Sequence, residues 1–144
     1  MEITVIRPGM LTTVQDLGRR GFRHSGLPTG GAMDGLALRL ANLLVGNEAN
    51  CAGLEMTLTG AELEFGDDAL VAVTGADMGA LQPGRPRVVK ADERLRFGPA
   101  QKGCRTYLAV AGGLAIEPVL GGLGQTCGAV WAAMRAGRSK RVTD

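Results

Sequence analysis

The sequence predicts a mainly β domain that contains one clear α-helix. Glycine supplies 23 of the 144 residues, hydrophobic residues make up 45% of the chain, and aromatic residues make up only 3%. Abundant glycine favours tightly turned strands, and the scarcity of aromatic residues predicts an aliphatic core. Short apolar segments recur at intervals of about 8–12 residues, which is typical of a barrel or a sandwich. The length fits a single domain.

Two short strands are predicted at the start of the chain. Ile3 and Val5 alternate with polar residues, and the Pro8-Gly9 pair ends this first strand with a turn. Residues 11–14 are rich in β-branched side chains and predict a second strand. A long irregular loop is expected over residues 19–31 because prolines and glycines are frequent there.

The clearest helix is predicted over residues 33–45, where the hydrophobic period changes. Asp34 is a candidate N-cap or first-turn acid, and Gly46 is a candidate for the residue just beyond the helix. Arg39 and Asn42 lie off the apolar stripe. The stripe itself consists of Met33, Leu36, Ala37, Leu40 and Leu44.

Strand patterns dominate the sequence after this helix. Apolar residues alternate over 54–58 and again, in the opposite phase, over 61–65, so a bulge or tight turn is expected at Thr59-Gly60. Residues 69–73 form a continuous apolar run, which predicts a strand covered on both faces. Further short strands are predicted over residues 78–81, 87–90, 94–97 and 105–110.

A second helix is predicted over residues 125–136, from apolar positions with the spacing i, i+3, i+4, i+7. These positions are Cys127, Val130, Trp131 and Met134. A basic tail follows, which we expect to be solvated rather than to bind a partner. Its members are Arg135, Arg138, Lys140 and Arg141.

Charge and cysteine usage argue against several classes of protein. The formal net charge of +2 gives no general case for binding nucleic acid or an anionic membrane. The single histidine, His24, is expected to be a surface group, and the three cysteines are too widely spaced to predict a metal site. Their odd number, without a signal-peptide pattern, predicts reduced thiols in a cytoplasmic protein. Cys104 opens an apolar strand and is expected in the core.

Three groups of residues are candidates for a binding site. Asp34, beside a glycine-rich loop, either caps its helix or lies where backbone N–H groups hold a small anion. Gln15, Asp16 and Arg19 either form a local ion pair or face a substrate. The segment Thr74-Gly75-Ala76-Asp77 ends the most apolar strand, so it marks either a site or an Asx-type turn.

Eight motifs, in order along the chain, resemble the biotin-dependent carboxyltransferase family. This family includes allophanate hydrolase subunit 2, KipA, the C subunit of the bacterial 5-oxoprolinase and the carboxyltransferase part of urea carboxylase. The resemblance runs from residue 1 to about residue 121. The matching motifs are Pro8-Gly9, Thr13-Val14-Gln15-Asp16-Leu17-Gly18-Arg19 with Gly21, Gly26-x-Pro28, Gly31-Ala32-Met33-Asp34, Ala41-Asn42-Leu43-Leu44-Val45-Gly46-Asn47, Leu54-Glu55, Thr74-Gly75-Ala76-Asp77 and Gly103-x-Arg105-x-Tyr107-Leu108-Ala109-Val110-Ala111-Gly112-Gly113.

The resemblance implies a cyclophilin-like β-barrel that works in a multi-subunit complex. A component of a 5-oxoprolinase or a carboxyltransferase would act on a small amide or lactam, together with a partner that resembles KipI or the 5-oxoprolinase B subunit, and with the A subunit. ATP or carboxybiotin would then be supplied through those partners, and the chain alone would be inactive. One alternative is a non-catalytic KipA-like binding module that docks on a KipI-like partner. Another is an inactive truncated fragment, which could self-associate through exposed apolar surface.

The resemblance also divides the chain. After Leu120 the family continues Gly-Ser-Arg-Ser-Thr, whereas this chain continues Gly121-Gly122-Leu123-Gly124. We therefore expect an N-terminal lobe over residues 1–121 and a divergent tail over residues 122–144, which reflects truncation or an altered reading frame. A substrate site is expected where the loop before the helix meets the end of the strand at residues 74–77. Its candidate residues are Gln15, Asp16, Arg19, Gly31, Met33, Asp34, Thr74, Gly75, Asp77 and Arg105.

Overall fold

Nine strands and one helix make up the regular structure of the residues that a computed structural model describes, which are 2–17, 31–114 and 140–141. The elements are β1 (Glu2–Arg7), β2 (Leu11–Gln15), α1 (Gly35–Leu44), β3 (Gly53–Thr57), β4 (Glu62–Phe65), β5 (Ala69–Asp77), β6 (Arg87–Val89), β7 (Arg94–Arg96), β8 (Gln101–Val110) and β9 (Lys140–Arg141). The predicted segment 125–136, the loop with Arg19 and His24, and Cys127 lie outside the described residues.

The described strands form two antiparallel sheets. One has the order β7-β4-β1-β9, and the other has the order β2-β3-β8-β5-β6. A bridge between Thr59 and Pro99 and a hydrogen bond of 3.1 Å from Gly60 N–H to the Gly98 carbonyl join the chain segments that lead from one sheet to the other. The predicted mainly β fold with one principal helix is confirmed.

An aliphatic core lies between the sheets. Leu54 and Met56 contribute to it from β3, whereas Leu63 and Phe65 contribute from β4 in the other sheet. The opposite phases of these two segments arise because the chain changes sheets between them. Leu58 makes the turn with a positive φ of 62° and is 42% exposed, so it leaves the inward alternation.

Helix α1 packs on the outer face of the five-stranded sheet. The side of the helix that contacts the sheet is not the side that carries the predicted apolar stripe. The side against the sheet consists of Ala37, Leu38, Ala41, Asn42 and the following Val45, whereas Met33, Leu36, Leu40 and Leu43 are exposed. Small residues let the helix approach closely, and Leu38 lies directly over Gly53, where an added Cβ would come within 2.8 Å of its Cδ1. The buried Asn42 amide is paired, because it donates to the Cys51 carbonyl at 2.8 Å and accepts from Asn47 Nδ2 at 3.2 Å.

Three further predictions about strands need correction. Residues 78–81 form bends rather than a strand, because Gly79 turns the chain with a φ of 90°, although Met78 and Leu81 are buried. Strand β8 begins at Gln101, four residues earlier than predicted, whereas β5 ends at Asp77, as expected for the segment 74–77. Cys104 therefore lies in the exposed first half of β8, not in the core.

Candidate functional site

A row of polar residues crosses the face of the five-stranded sheet on which α1 lies. Thr13 pairs with Glu55, Glu55 with Tyr107, and Tyr107 with Thr74, on the four neighbouring strands β2, β3, β8 and β5. Cross-strand partners point to the same face, so the four side chains are neighbours. Glu55 is only 6% exposed, and Tyr107 only 1%. A carboxylate at such depth requires hydrogen-bond partners.

Glu55 and Tyr107 hold the loop that precedes α1. Glu55 Oε2 accepts a hydrogen bond of 2.7 Å from the Tyr107 hydroxyl and one of 2.9 Å from the Met33 N–H. The Tyr107 oxygen accepts in turn from the Asp34 N–H at 2.9 Å. Burial raises the pKa of the Tyr107 phenol well above its usual range, and its hydrogen bond to Glu55 raises it further.

The first turn of α1 has two more anchors. Asp34 is the N-cap, and its Oδ1 accepts from the Ala37 N–H at 3.1 Å, so the predicted capping role is confirmed. The Thr74 hydroxyl donates to the Ala37 carbonyl at 2.5 Å. The backbone N–H groups of Met33 and Asp34 are thus already occupied by protein oxygens.

Arg105 lies one row further along the same face, two residues from Tyr107 on β8 and opposite Thr57 on β3. Its Nε is 3.9 Å from Glu55 Oε1, which is close enough for an ion pair but too long for a hydrogen bond. The Arg105 side chain is 34% exposed, yet its Nε is buried and has no hydrogen-bond partner; the buried Thr57 Oγ1 also has none. The Arg105 guanidinium, the Glu55 carboxylate and the Thr57 hydroxyl are therefore neighbours on this face of the sheet.

Gly75 and Asp77 have local roles. Gly75 has a φ of 92°, and an added Cβ would lie 2.4 Å from the Arg105 carbonyl oxygen, so glycine allows β5 to pass close to Arg105. The exposed Asp77 accepts from the Gly79 N–H at 2.8 Å, which is the Asx-type turn that was the alternative interpretation. The Asp77 carboxylate therefore stabilises the turn that follows β5.

The remaining candidates lie at the two ends of the loop before α1. Gln15 donates from Nε2 to Thr13 Oγ1 at 3.0 Å, and the buried Asp16 accepts at its backbone carbonyl from the Ala32 N–H at 2.9 Å. Gly31 adopts a φ of 89° just before this contact. Arg19 lies outside the described residues, so its pairing with Asp16 stays a prediction.

Sequence reasoning missed Glu55, Tyr107 and Thr57 as site residues. Glu55 lies between the apolar residues Leu54 and Met56, and Tyr107 is the single tyrosine of the chain. A charged residue in the middle of a buried strand is itself a signal, because burial of an unpaired carboxylate is costly. The strand register that joins the three could not be derived from local patterns.

The described part of the chain holds neither a cluster of metal-ligating side chains nor a membrane-spanning helix. Within residues 2–17 and 31–114, His, Cys, Asp and Glu form no group of three that could hold a metal ion. None of the helices in these ranges is long and apolar enough to cross a membrane.

A family model for the carboxyltransferase domain, subdomains A and B, matches residues 25–138. The chain belongs to this carboxyltransferase domain family. Among curated relatives, the C subunit of 5-oxoprolinase from Escherichia coli (strain K12) is 50% identical over 125 residues, which are 83% of this chain and 40% of that protein. A urea amidolyase of Lachancea kluyveri is 36% identical over 124 residues, which are 81% of this chain and 7% of that protein.

Solved structures show the same carboxyltransferase domain fold. The urea carboxylase of Kluyveromyces lactis superposes with a TM-score of 0.83 at 35% identity, covering 86% of this chain and 12% of that one. The protein TTHA0988 superposes with a TM-score of 0.83 at 34% identity, covering all of this chain and 54% of that one. The chain thus spans two fifths or less of these two curated relatives, and about half or less of these solved structures.

Proposed function

We propose that this carboxyltransferase domain chain is one lobe of a component in a 5-oxoprolinase-like or urea carboxylase-like complex that acts on a small amide or lactam. Relatives whose names carry these two activities support the proposal. The observation that carries it is the polar cluster of Glu55, Tyr107 and Arg105 at the start of α1, where a carboxylate acceptor and a guanidinium donor lie 3.9 Å apart. Amides contain one donor and one acceptor group, so such a pair suits them.

In this proposal each residue of the cluster has a separate task. Arg105 donates to the carbonyl oxygen of the substrate and stabilises negative charge that develops there. Glu55 accepts from a substrate N–H group. Tyr107, with Asp34 and Thr74, positions Glu55 and the first turn of α1 and does not touch the substrate.

Partner proteins complete the proposed complex. A protein that resembles KipI or the 5-oxoprolinase B subunit, together with the A subunit, would supply the remaining chemistry. The buried Glu55 carboxylate does not fit a triphosphate, whose charge it would repel. We therefore propose that ATP, or carboxybiotin in a urea carboxylase-like complex, binds to the partners and not at this cluster.

Coexpression with the A and B subunits of a 5-oxoprolinase tests the proposal. We expect ATP-dependent release of glutamate from 5-oxoproline only when all three chains are present. Glu55→Gln should lower turnover strongly. The control Glu93→Gln should not, because Glu93 forms an ion pair of 2.5 Å with Arg87 and is not part of the polar cluster. The proposal would be contradicted if an assembled complex with the 5-oxoprolinase subunits does not turn over 5-oxoproline and an assembled complex with partners that supply carboxybiotin does not carboxylate urea.

Two aspartate variants refine the site. Asp34→Ala should lower turnover because it loosens the loop that Glu55 and Tyr107 hold. Asp77→Ala decides whether this residue belongs to the site. Normal turnover would exclude Asp77 from the site, and reduced turnover would include it. Both variants should be compared at equal folded concentration, because loss of a cap also lowers stability.

A further inference from the structure

Two buried side-chain atoms without partners lie opposite each other in the sheet. Thr57 Oγ1 and Arg105 Nε belong to a directly paired couple of residues on β3 and β8, and both are out of contact with solvent and lack a hydrogen bond. Most buried polar side-chain atoms in proteins are paired, because an unmade hydrogen bond costs free energy. Two such atoms on directly paired residues point to a ligand that supplies the missing partners.

The types of atom define the missing group. An arginine Nε can only donate, so its partner is an acceptor, and a threonine hydroxyl can donate to the same acceptor. Glu55 does not fill this role, because its Oε1 is 3.9 Å away and its Oε2 already accepts from Tyr107 and Met33. The ligand therefore places an oxygen atom between Thr57 and Arg105.

Charge shows which oxygen fits. The positive charge of Arg105 is already balanced by the buried carboxylate of Glu55. A second carboxylate at this position would add an uncompensated negative charge next to Glu55, which is unfavourable at such depth. A neutral carbonyl oxygen satisfies the two donors without that cost.

Glu55 Oε1 then lies next to the carbonyl site as an acceptor for an adjacent N–H. An amide whose N–H and C=O lie on the same side, as in a lactam, a urea or a primary amide, presents both groups along one edge. Two parallel hydrogen bonds to such an edge need an acceptor and a donor a few ångströms apart, and the 3.9 Å between Glu55 Oε1 and Arg105 Nε meets this need.

We propose that Glu55, Thr57 and Arg105 form a binding site for the edge of a neutral cis or primary amide. The Arg105 Nε and the Thr57 hydroxyl donate to the amide oxygen, and Glu55 Oε1 accepts from the amide N–H. Because one third of the Arg105 side chain is exposed, a rotation of the guanidinium opens its Nε edge to the ligand. This inference rests on, and deepens, the proposed function by assigning the atoms that select the substrate class.

The test measures binding of four small probes to the isolated chain by nuclear magnetic resonance. The lactam 2-pyrrolidone has both groups of the edge, N-methyl-2-pyrrolidone lacks the N–H, γ-butyrolactone replaces it with an ester oxygen, and acetate has a negative charge. We expect 2-pyrrolidone to shift the Arg105 Nε–H signal and to bind about tenfold or more tightly than the other three. Equal binding of N-methyl-2-pyrrolidone, or preferred binding of acetate, would overturn the proposal.

Variants separate this binding role from a structural one. Thr57→Val removes the unpartnered hydroxyl with little change of shape, so it should weaken 2-pyrrolidone binding about tenfold while leaving the resistance to urea equal or higher. Arg105→Lys should also abolish binding, because lysine lacks the Nε edge. Exposed Thr59→Val and the distant Arg87→Lys serve as matched controls and should bind like the parent. A Thr57→Val chain that binds normally contradicts the proposal.

The two proposals can fail separately. If 2-pyrrolidone binds as described but the coexpressed complex turns over neither 5-oxoproline nor urea, the amide site stands and the proposed function fails. If the complex is active while Thr57→Val and Arg105→Lys leave its KM and kcat unchanged, the proposed activity of the complex stands, whereas the amide site and the role proposed for Arg105 are both wrong.

Discussion

The Tyr107 hydroxyl donates a 2.7 Å hydrogen bond to Glu55 Oε2, across the paired strands β8 and β3. This bond connects the centre of the sheet to the start of α1, because the same two side chains accept the N–H groups of Met33 and Asp34. Glu55, Tyr107 and the first turn of α1 are therefore joined by one hydrogen-bond network. A substitution at one of these positions should change the stability contributed by the others.

Tyr107 should titrate at an unusually high pH. Burial and the hydrogen bond to Glu55 raise the pKa of its phenol, whereas an unfolded tyrosine loses its proton near about pH 10. The unfolded chain then releases this proton first, so the contribution of Tyr107 to stability is present below about pH 10 and is lost as the pH rises above it. Since Tyr107 is the single tyrosine of the chain, ultraviolet absorbance of tyrosinate reports this residue alone.

The control for this titration is the same chain in concentrated urea, where ionisation should occur near the ordinary value. Tyr107→Phe should also remove one component of the fall in unfolding free energy at alkaline pH. Coincident titration curves of the folded and the urea-unfolded chain would show that the phenol is not held as described.

Glu55 and Tyr107 should be energetically coupled. Tyr107→Phe leaves the Asp34 N–H without its acceptor and removes one of the two donors to Glu55 Oε2, so it should lower the free energy of unfolding by about 1–3 kcal/mol. Glu55→Gln should cost a similar amount. The double variant should cost less than the sum of the two, with a coupling of about 0.5–3 kcal/mol measured by urea unfolding. Additive effects would mean that the two side chains act independently.

Asp34 should matter for stability through its capping bond. Asp34→Ala removes the acceptor for the Ala37 N–H and should cost about 1 kcal/mol in thermal or urea unfolding. Asp34→Ser keeps a capping oxygen and should retain most of the stability. If alanine and serine at this position are equally destabilising, the side chain does not act as a cap.

Gly75 should be far less replaceable than Gly79. Both have a φ near 90°, but an added Cβ at Gly75 would lie 2.4 Å from the Arg105 carbonyl, whereas nothing lies within 4 Å at Gly79. Gly79→Ala should therefore show only the backbone cost of about 1–3 kcal/mol, and Gly75→Ala should add a steric cost and displace Arg105. Urea unfolding of the pair, with 2-pyrrolidone binding as a second measurement, checks this; equal effects would contradict the close approach.

Local patterns were sufficient for much of the fold. Alternation predicted the strand around Ile3, and short β-like segments between proline and glycine turn signals predicted the strands in residues 87–90 and 94–97. Asp34 as the capping acid and Gly46 beyond the last turn predicted the bounds of α1 within two residues. These features depend on neighbours in sequence, whose hydrogen bonds and backbone angles are local. The same patterns could not orient α1, because Leu38 rather than Leu40 is selected by the space above Gly53 on another element.

The residue types alone predicted an aliphatic β domain with a capped helix and a glycine-rich loop before it. The pairing of Glu55 with Tyr107, 52 residues later, and of Tyr107 with the Asp34 N–H, 73 residues earlier, appeared only when the sheet was assembled. The same holds for the unpartnered atoms of Thr57 and Arg105. The physical reason is that strand register, which no local preference encodes, decides which buried polar groups face each other and which remain without a hydrogen-bond partner.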